Sequence, residues 1–184
     1  MSKIILIGGA SGVAKSSTAK VLSERLNITH RLGSGFIREM AKSFISEESC
    51  PALYRYSFYQ EKGLSPMENL IAQSRPLQPM IELALTRASR EGTGLIIEGV
   101  NVIPGLMNSS VPGIQRYVLC VHNEKAHYTM INGETHAKRF VSKDQFRLVR
   151  SIQSEFLERA KTFGWKILDI TNEDILDECG SNLL

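Results

Sequence analysis

The run "KIILI", residues 3 to 7, passes directly into "GGASGVAKSST", residues 8 to 18. No other stretch limits the fold so tightly. A short run that is apolar from Ile4 to Ile7 predicts a strand buried on both faces. From Lys15 to Leu26 the residues Ala19, Leu22 and Leu26 recur at helical spacing. A strand, a glycine-rich turn and a helix in that order turn backbone N–H groups toward an anion at the helix start. The phosphate-loop pattern is G-x-x-x-x-G-K-[ST]. Here Gly9 opens it and Lys15-Ser16 closes it. The candidate nucleotide-binding residues are therefore Gly9, Ala10, Ser11, Gly12, Val13, Ala14, Lys15, Ser16 and Ser17. Lys15 is placed to reach the terminal phosphates, and Ser16 to offer its hydroxyl to a magnesium ion.

One position departs from the pattern. Ala14 stands where glycine is expected. Backbone angles near a helix start are expected to be right-handed helical, which alanine accepts. The expected hazard is a methyl group crowding the phosphate, so affinity is expected to be unchanged or weakened rather than abolished.

Further apolar runs alternate with helical patterns. Ile28 to Leu32, "GLIIEG" (94–99), "RYVLCV" (116–121) and "WKILDI" (165–170) read as strands. "GFIREMAKSFIS" repeats Phe36, Ile37, Met40, Phe44 and Ile45 at helical spacing. Residues 66 to 90 read as a long helix broken or kinked at Pro76 and Pro79. Residues 123 to 142 read as polar and irregular, 143 to 163 as a long amphipathic helix, and the end of the chain as a short helix. This alternation predicts an α/β fold, a three-layer sandwich about a mostly parallel sheet. Ligands bind at the carboxyl ends of such strands. Glu98, at the end of "LIIE", is placed to orient magnesium or its water shell.

Composition narrows the partners. At 184 residues the chain fits one domain, 1–184, with a core of its own. A net charge of +3 does not point to nucleic acid or a membrane. Cys50, Cys120 and Cys179 are scattered without metal-ligand spacing and read as reduced thiols. "MSKIILIGG" has no long apolar run before a cleavage site, so a cytoplasmic location is expected. His122, His127 and His136 fall on unlike elements and do not read as a metal site. "YRYSFYQ", residues 54 to 60, reads as helix-packing core or the wall of a substrate cap.

"GGASGVAKSSTA", "FIREMAKSFISEESCPAL" and "LIIEGVNVIPGL" together resemble the 2-phosphoglycerate kinase family of P-loop proteins. The resemblance implies a nucleoside-monophosphate-kinase-like fold with a mobile basic lid, assigned here to residues 123–145. It implies ATP and Mg2+ as cofactors, and a small anionic acceptor as the partner. By position, Lys15 and Ser16 serve the nucleotide and metal, while Arg38, Glu98 and Asn101 face the acceptor. Arginine suits that role because its planar fork grips phosphate or carboxylate at two points. The lid needs a cation near the moving phosphoryl group. Arg139 is the first choice among Lys138, Arg139, Arg147 and Arg150, of which the last two sit three apart on one helix.

The chain also departs from that family. Gly35 stands where it tends to carry an acid before "IRE", and Asn101 where it commonly has histidine. "GSGFIREMAK" is similar instead to a stretch of archaeal-type cytidylate kinases. Two alternatives therefore stand beside the kinase reading: a cytidylate-type nucleotide kinase, and an ATP-binding protein with little turnover.

Overall fold

The computed structural model describes residues 3–133 and 140–172. Its five strands are β1 (Ile4–Gly8), β2 (His30–Gly33), β3 (Leu95–Glu98), β4 (Gln115–Cys120) and β5 (Lys166–Asp169). They form one sheet in the order β2-β3-β1-β4-β5, and each neighbouring pair is parallel. Each corresponds to a strand read from the sequence.

The apolar run of β1 is explained by its central place. Ile4 and Leu6 point into one core, Ile5 and Ile7 into the other. Alternate side chains of a strand face opposite ways, so a strand covered on both sides has no polar position to offer. Helix α1 (Lys15–Arg25) covers one face through Ala19 and Leu22. The opposite face is covered by α2 (Ser34–Ala41), α4 (Pro66–Ser74), α5 (Gln78–Glu91) and α7 (Lys143–Phe163). A short α3 (Pro51–Tyr54) precedes α4, and α6 (Glu124–Ile131) precedes α7.

Local chemistry sets the helix ends. Ser65 and Glu68 form a capping box at the start of α4, and Ser142 and Gln145 do the same for α7. Each box satisfies two N–H groups that the helix leaves without partners. The break foreseen at the prolines is a 3-10 turn, Arg75–Leu77, between α4 and α5. Pro76 lacks an N–H and cannot continue an α-helix.

Two expectations are corrected. Residues 123–142 are not wholly irregular, because α6 lies there, capped by the Asn123 side chain accepting from Ala126 N. The helical pattern read through Ile45 stops early, because α2 ends at Ala41 before Phe44 and Ile45. Ile37 is buried, but Phe36, Met40 and the following Phe44 are exposed. The C-terminal helix read from the sequence lies outside the described residues. Among the described residues no helix is long and apolar enough to cross a membrane.

The chain leaves β1 toward the face carrying α1. It leaves β3 through Val102 and Ile103, which join the opposite core. A crevice therefore opens between the carboxyl ends of these adjacent strands, where parallel sheets bind ligands.

Candidate phosphate-binding cleft

A cleft of about 470 Å³ occupies this crevice. One wall is the loop after β1, with Ser11, Lys15 and Ser16. The floor is Glu98 at the end of β3, and the far wall is α2 with Arg38. The volume suits a small ligand.

The loop is held open by close contacts rather than by side chains of its own. Gly12 has φ of +79° and packs on Ile131 of α6, 2.6 Å from where a Cβ would stand. Only glycine fits both the angle and the space. At its end, Ala14 also has a left-handed backbone, with φ 50° and ψ 27°. This corrects the right-handed geometry expected there. The pattern's glycine is explained by conformation, not by a methyl meeting phosphate. An alanine held in this region costs about 1–2 kcal/mol.

Lys15 is buried, and its Nζ donates to the Ala10 carbonyl at 2.6 Å. The ammonium is thus folded back over its own loop, above the ring of peptide groups. Burial lowers its pKa to about 8, and the nearby Glu98 carboxylate opposes that shift. An anion in the loop would restore a charge that burial disfavours.

Ser16 begins on the first turn of α1 and crosses to β3. Its hydroxyl donates to Glu98 Oε1 at 2.8 Å. The hydroxyl proton is occupied, so the Ser16 oxygen keeps lone pairs for a metal. A serine hydroxyl beside a carboxylate is a donor set that suits a hard divalent cation such as magnesium. Gly99 follows with φ of +145°, where a Cβ would collide with Ser34. That close approach brings the start of α2 onto the end of β3.

Arg38 and Asn101 belong to one polar network. Asn101 Nδ2 donates to Gln73 Oε1 at 3.0 Å and to Ser74 Oγ at 2.9 Å, while its Oδ1 accepts from Ser34 Oγ at 3.3 Å. Gln73 Nε2 donates to the carbonyls of Ala52 and Arg55, both at 2.9 Å. Arg38 reaches the same network through longer bonds, from Nη1 to Arg55 O at 3.3 Å and to Gln73 Oε1 at 3.4 Å. Its Nε is covered and has no hydrogen-bond partner. Its Nη2 pairs with the exposed carboxylate of Glu39 at 3.2 Å, an ion pair that an incoming anion in the cleft can displace. Asn101, by contrast, is fully engaged and acts on the cleft through its neighbours. Beside it, Gly35 faces open space.

Sequence reasoning missed His127. It is fully buried in α6, and its Nε2 lies 2.8 Å from the Ser11 carbonyl. Its Nδ1 lies 3.3 Å from Arg150 Nη1. Burial lowers its pKa, with smaller contributions in the same direction from Arg150 and Lys15, while the contact to Ser11 opposes them. A neutral ring protonated on Nε2 donates to the loop and accepts from Arg150, satisfying both nitrogens. Arg150 itself turns inward to Val121 O at 2.7 Å. Arg147 instead pairs with Asp144 at the surface, so the two arginines do not act together. A histidine within a polar run carries no pattern that would have revealed this brace. Lys138, Arg139 and His136 lie outside the described residues. Ser17 is exposed on α1, and Ala10 and Val13 are buried beneath the loop.

The chain is similar to known kinases in sequence and in fold. A 2-phosphoglycerate kinase of Methanococcus maripaludis is 30% identical over 185 aligned positions, covering 87% of this chain and 57% of that protein. One from Methanopyrus kandleri is 36% identical over 134, covering 67% of this chain and 41% of that protein. This chain is a relative of the 2-phosphoglycerate kinases. It spans about half the length of the curated relatives it matches. No family model matches it. Among solved structures, shikimate kinase from Acinetobacter baumannii superimposes with a TM-score of 0.60 at 10% identity, covering 100% of this chain and 92% of that one. A gluconokinase from Sinorhizobium meliloti gives 0.58 at 15% identity, covering 98% and 95%. The fold is that of the P-loop kinases.

Proposed function

We propose that this chain is a phosphotransferase that moves the γ-phosphoryl group of ATP, with magnesium, to a hydroxyl of a small anionic metabolite. The observation that carries the reading is a cleft with Lys15 and the Ser16–Glu98 pair on one side and Arg38, paired with Glu39, on the other. The names of its relatives favour 2-phosphoglycerate, or an acceptor like it.

Phosphoryl transfer depends chiefly on positioning and on charge placed around the moving group. In this reading the backbone N–H groups of residues 9–16 cradle the phosphates, and Lys15 leaves Ala10 O to meet them. Ser16 and Glu98 would hold magnesium, which neutralises charge on the phosphate oxygens. Arg38 grips the anionic group of the acceptor. Arg139, in a lid formed by residues 123–145, approaches the transferred group, and closure excludes water. In this reading residues 1–184 form one kinase domain that acts in the cytoplasm on a small metabolite, not on nucleic acid or at a membrane.

The test is ADP release by the purified chain with magnesium-ATP and 2-phosphoglycerate, for wild type and Lys15→Ala. The variant is expected to lose at least about a hundredfold in turnover, as when one major transition-state contact is removed. Equal rates would overturn the site assignment. A second acceptor class is favoured by one observation. Tyr56 and Phe58 stack with ring centroids 5.8 Å apart, and both line the cleft with exposed Phe36. Aromatic faces hold a planar base. Faster ADP release with CMP or dCMP than with 2-phosphoglycerate would select the nucleotide-kinase reading, and ATP binding without any acceptor-dependent release would select a binding protein.

A further inference from the structure

Three side chains that phosphoryl transfer does not use converge at the ends of β4 and β5. Cys120 closes β4 and Asp169 closes β5, and the two are paired residues in the parallel ladder. Paired residues of neighbouring strands present their side chains to the same face of a sheet. His122 lies two residues beyond Cys120, and the alternation returns it to that face. His122 Nε2 is 3.8 Å from Cys120 Sγ and 4.0 Å from Asp169 Oδ2. The three ligand atoms all fall within 4.8 Å of one another.

These separations are long for direct bonding. A contact of 4.0 Å is no hydrogen bond, and the sulfur contact is near the outer limit of one. The gap suits something between them. A four-coordinate zinc ion, with bonds of about 2.0–2.3 Å, holds its ligands roughly 3.3–3.6 Å apart. His122 is 64% exposed, so its ring is free to swing, and closing the three ligand atoms from separations of up to 4.8 Å takes movements of up to about 1 Å shared among the side chains. Asp169 is already oriented. Its Oδ1 accepts from Thr171 N at 3.0 Å and from Thr171 Oγ1 at 2.7 Å, and Oδ2 accepts from His122 N at 3.2 Å. Metal-ligating carboxylates are commonly braced in this manner.

We propose that Cys120, His122 and Asp169 bind a zinc-class divalent ion, with the fourth position open to water or a ligand. Thiolate, imidazole and carboxylate together select zinc or cobalt over magnesium, which prefers oxygen alone. Metal binding displaces the thiol proton of Cys120. Arg150 is the neighbouring cation. It donates to Val121 O and, at 3.3 Å, to His122 O. Its charge opposes the metal, and formation of the thiolate offsets that charge. The same guanidinium reaches His127, which contacts Ser11 O. The metal site therefore abuts the support of the phosphate loop without sharing a residue with the cleft.

The experiment is a cobalt(II) titration of the full chain in buffer free of nucleotide and magnesium. The wild type is expected to show a sulfur-to-cobalt charge-transfer band in the near ultraviolet, saturating at one cobalt per chain and abolished by zinc. Cys120→Ser is expected to lose the band, and His122→Ala to weaken binding at least about tenfold. Because Cys120 is buried, His122→Ala on an exposed side chain decides the matter if the serine variant does not fold. Absence of the band at millimolar cobalt overturns the proposal. So does a band undiminished in His122→Ala, which would place the thiol ligand at Cys50 or Cys179. Neither result bears on turnover, so the kinase reading stands or falls separately.

Discussion

At the scale of single residues, Ala14 and Lys15 adjoin in sequence but differ in what holds them. Ala14 occupies a backbone region that favours glycine. Ala14→Gly is therefore expected to raise the stability of the nucleotide-free protein by about 1 kcal/mol, less the extra freedom glycine gives the unfolded chain. Urea denaturation measures this, and a lower midpoint for the variant would contradict the strain. Lys15 gives a pH dependence with a definite sign. Its pKa near 8 in the free protein must rise when phosphates surround it. Below pH 8 the ammonium is already charged and nucleotide affinity is flat with respect to this group. Above pH 8 binding takes up a proton, so affinity falls, by up to about tenfold per pH unit. Calorimetry of magnesium-ATP binding in buffers of different ionisation enthalpy, at pH 7 and pH 9, counts that proton. Proton release at pH 9 would contradict it.

At the scale of elements, Gln73 of α4 ties α2, α3 and the loop after β3 into one polar network. Gln73→Leu would remove one hydrogen bond each from the carbonyls of Ala52 and Arg55 and from the amide of Asn101, which keep Arg55 N, Arg38 Nη1 and Ser74 Oγ as their other partners. Each such bond contributes about 0.5–1.5 kcal/mol, so a loss of about 2–3 kcal/mol is expected for the three. The KM for the acceptor is expected to rise more than the KM for ATP, because the network supports Arg38 and not the phosphate loop. Thermal denaturation and paired KM measurements check the two effects. Much at this scale was legible beforehand. Strands β1, β3 and β4 declared themselves by apolar runs, and the 3-10 break by Pro76. The network was not legible, since Gln73 and Asn101 look in the sequence like any polar residues, and only the contact of the end of α4 with the loop after β3 joins them. The exposure of Phe36 and Met40 was equally hidden, because helical spacing says which residues share a face but not whether that face is covered. His127 and the backbone of Ala14 depend on contacts and angles that no local pattern records.

At the scale of the whole molecule, the sheet among the described residues contains only parallel pairings, and none of these can form from a hairpin. Contacts of this kind close long loops before they reward the chain, so refolding from denaturant is expected in roughly the millisecond-to-second range. Stopped-flow fluorescence of Trp165, buried beside the core, follows it. A single phase faster than this range would contradict the argument. The position of β1 carries a consequence for biosynthesis. Ile4 pairs with Leu95, and Ile5 with Gln115. At about 5–20 residues per second, translation leaves that strand waiting roughly five to twenty seconds for its first mate. During that interval an extended greasy peptide protrudes near the ribosome. Apolar surface exposed for that long favours aggregation, and overproduction is expected to drive part of the polypeptide into inclusion bodies.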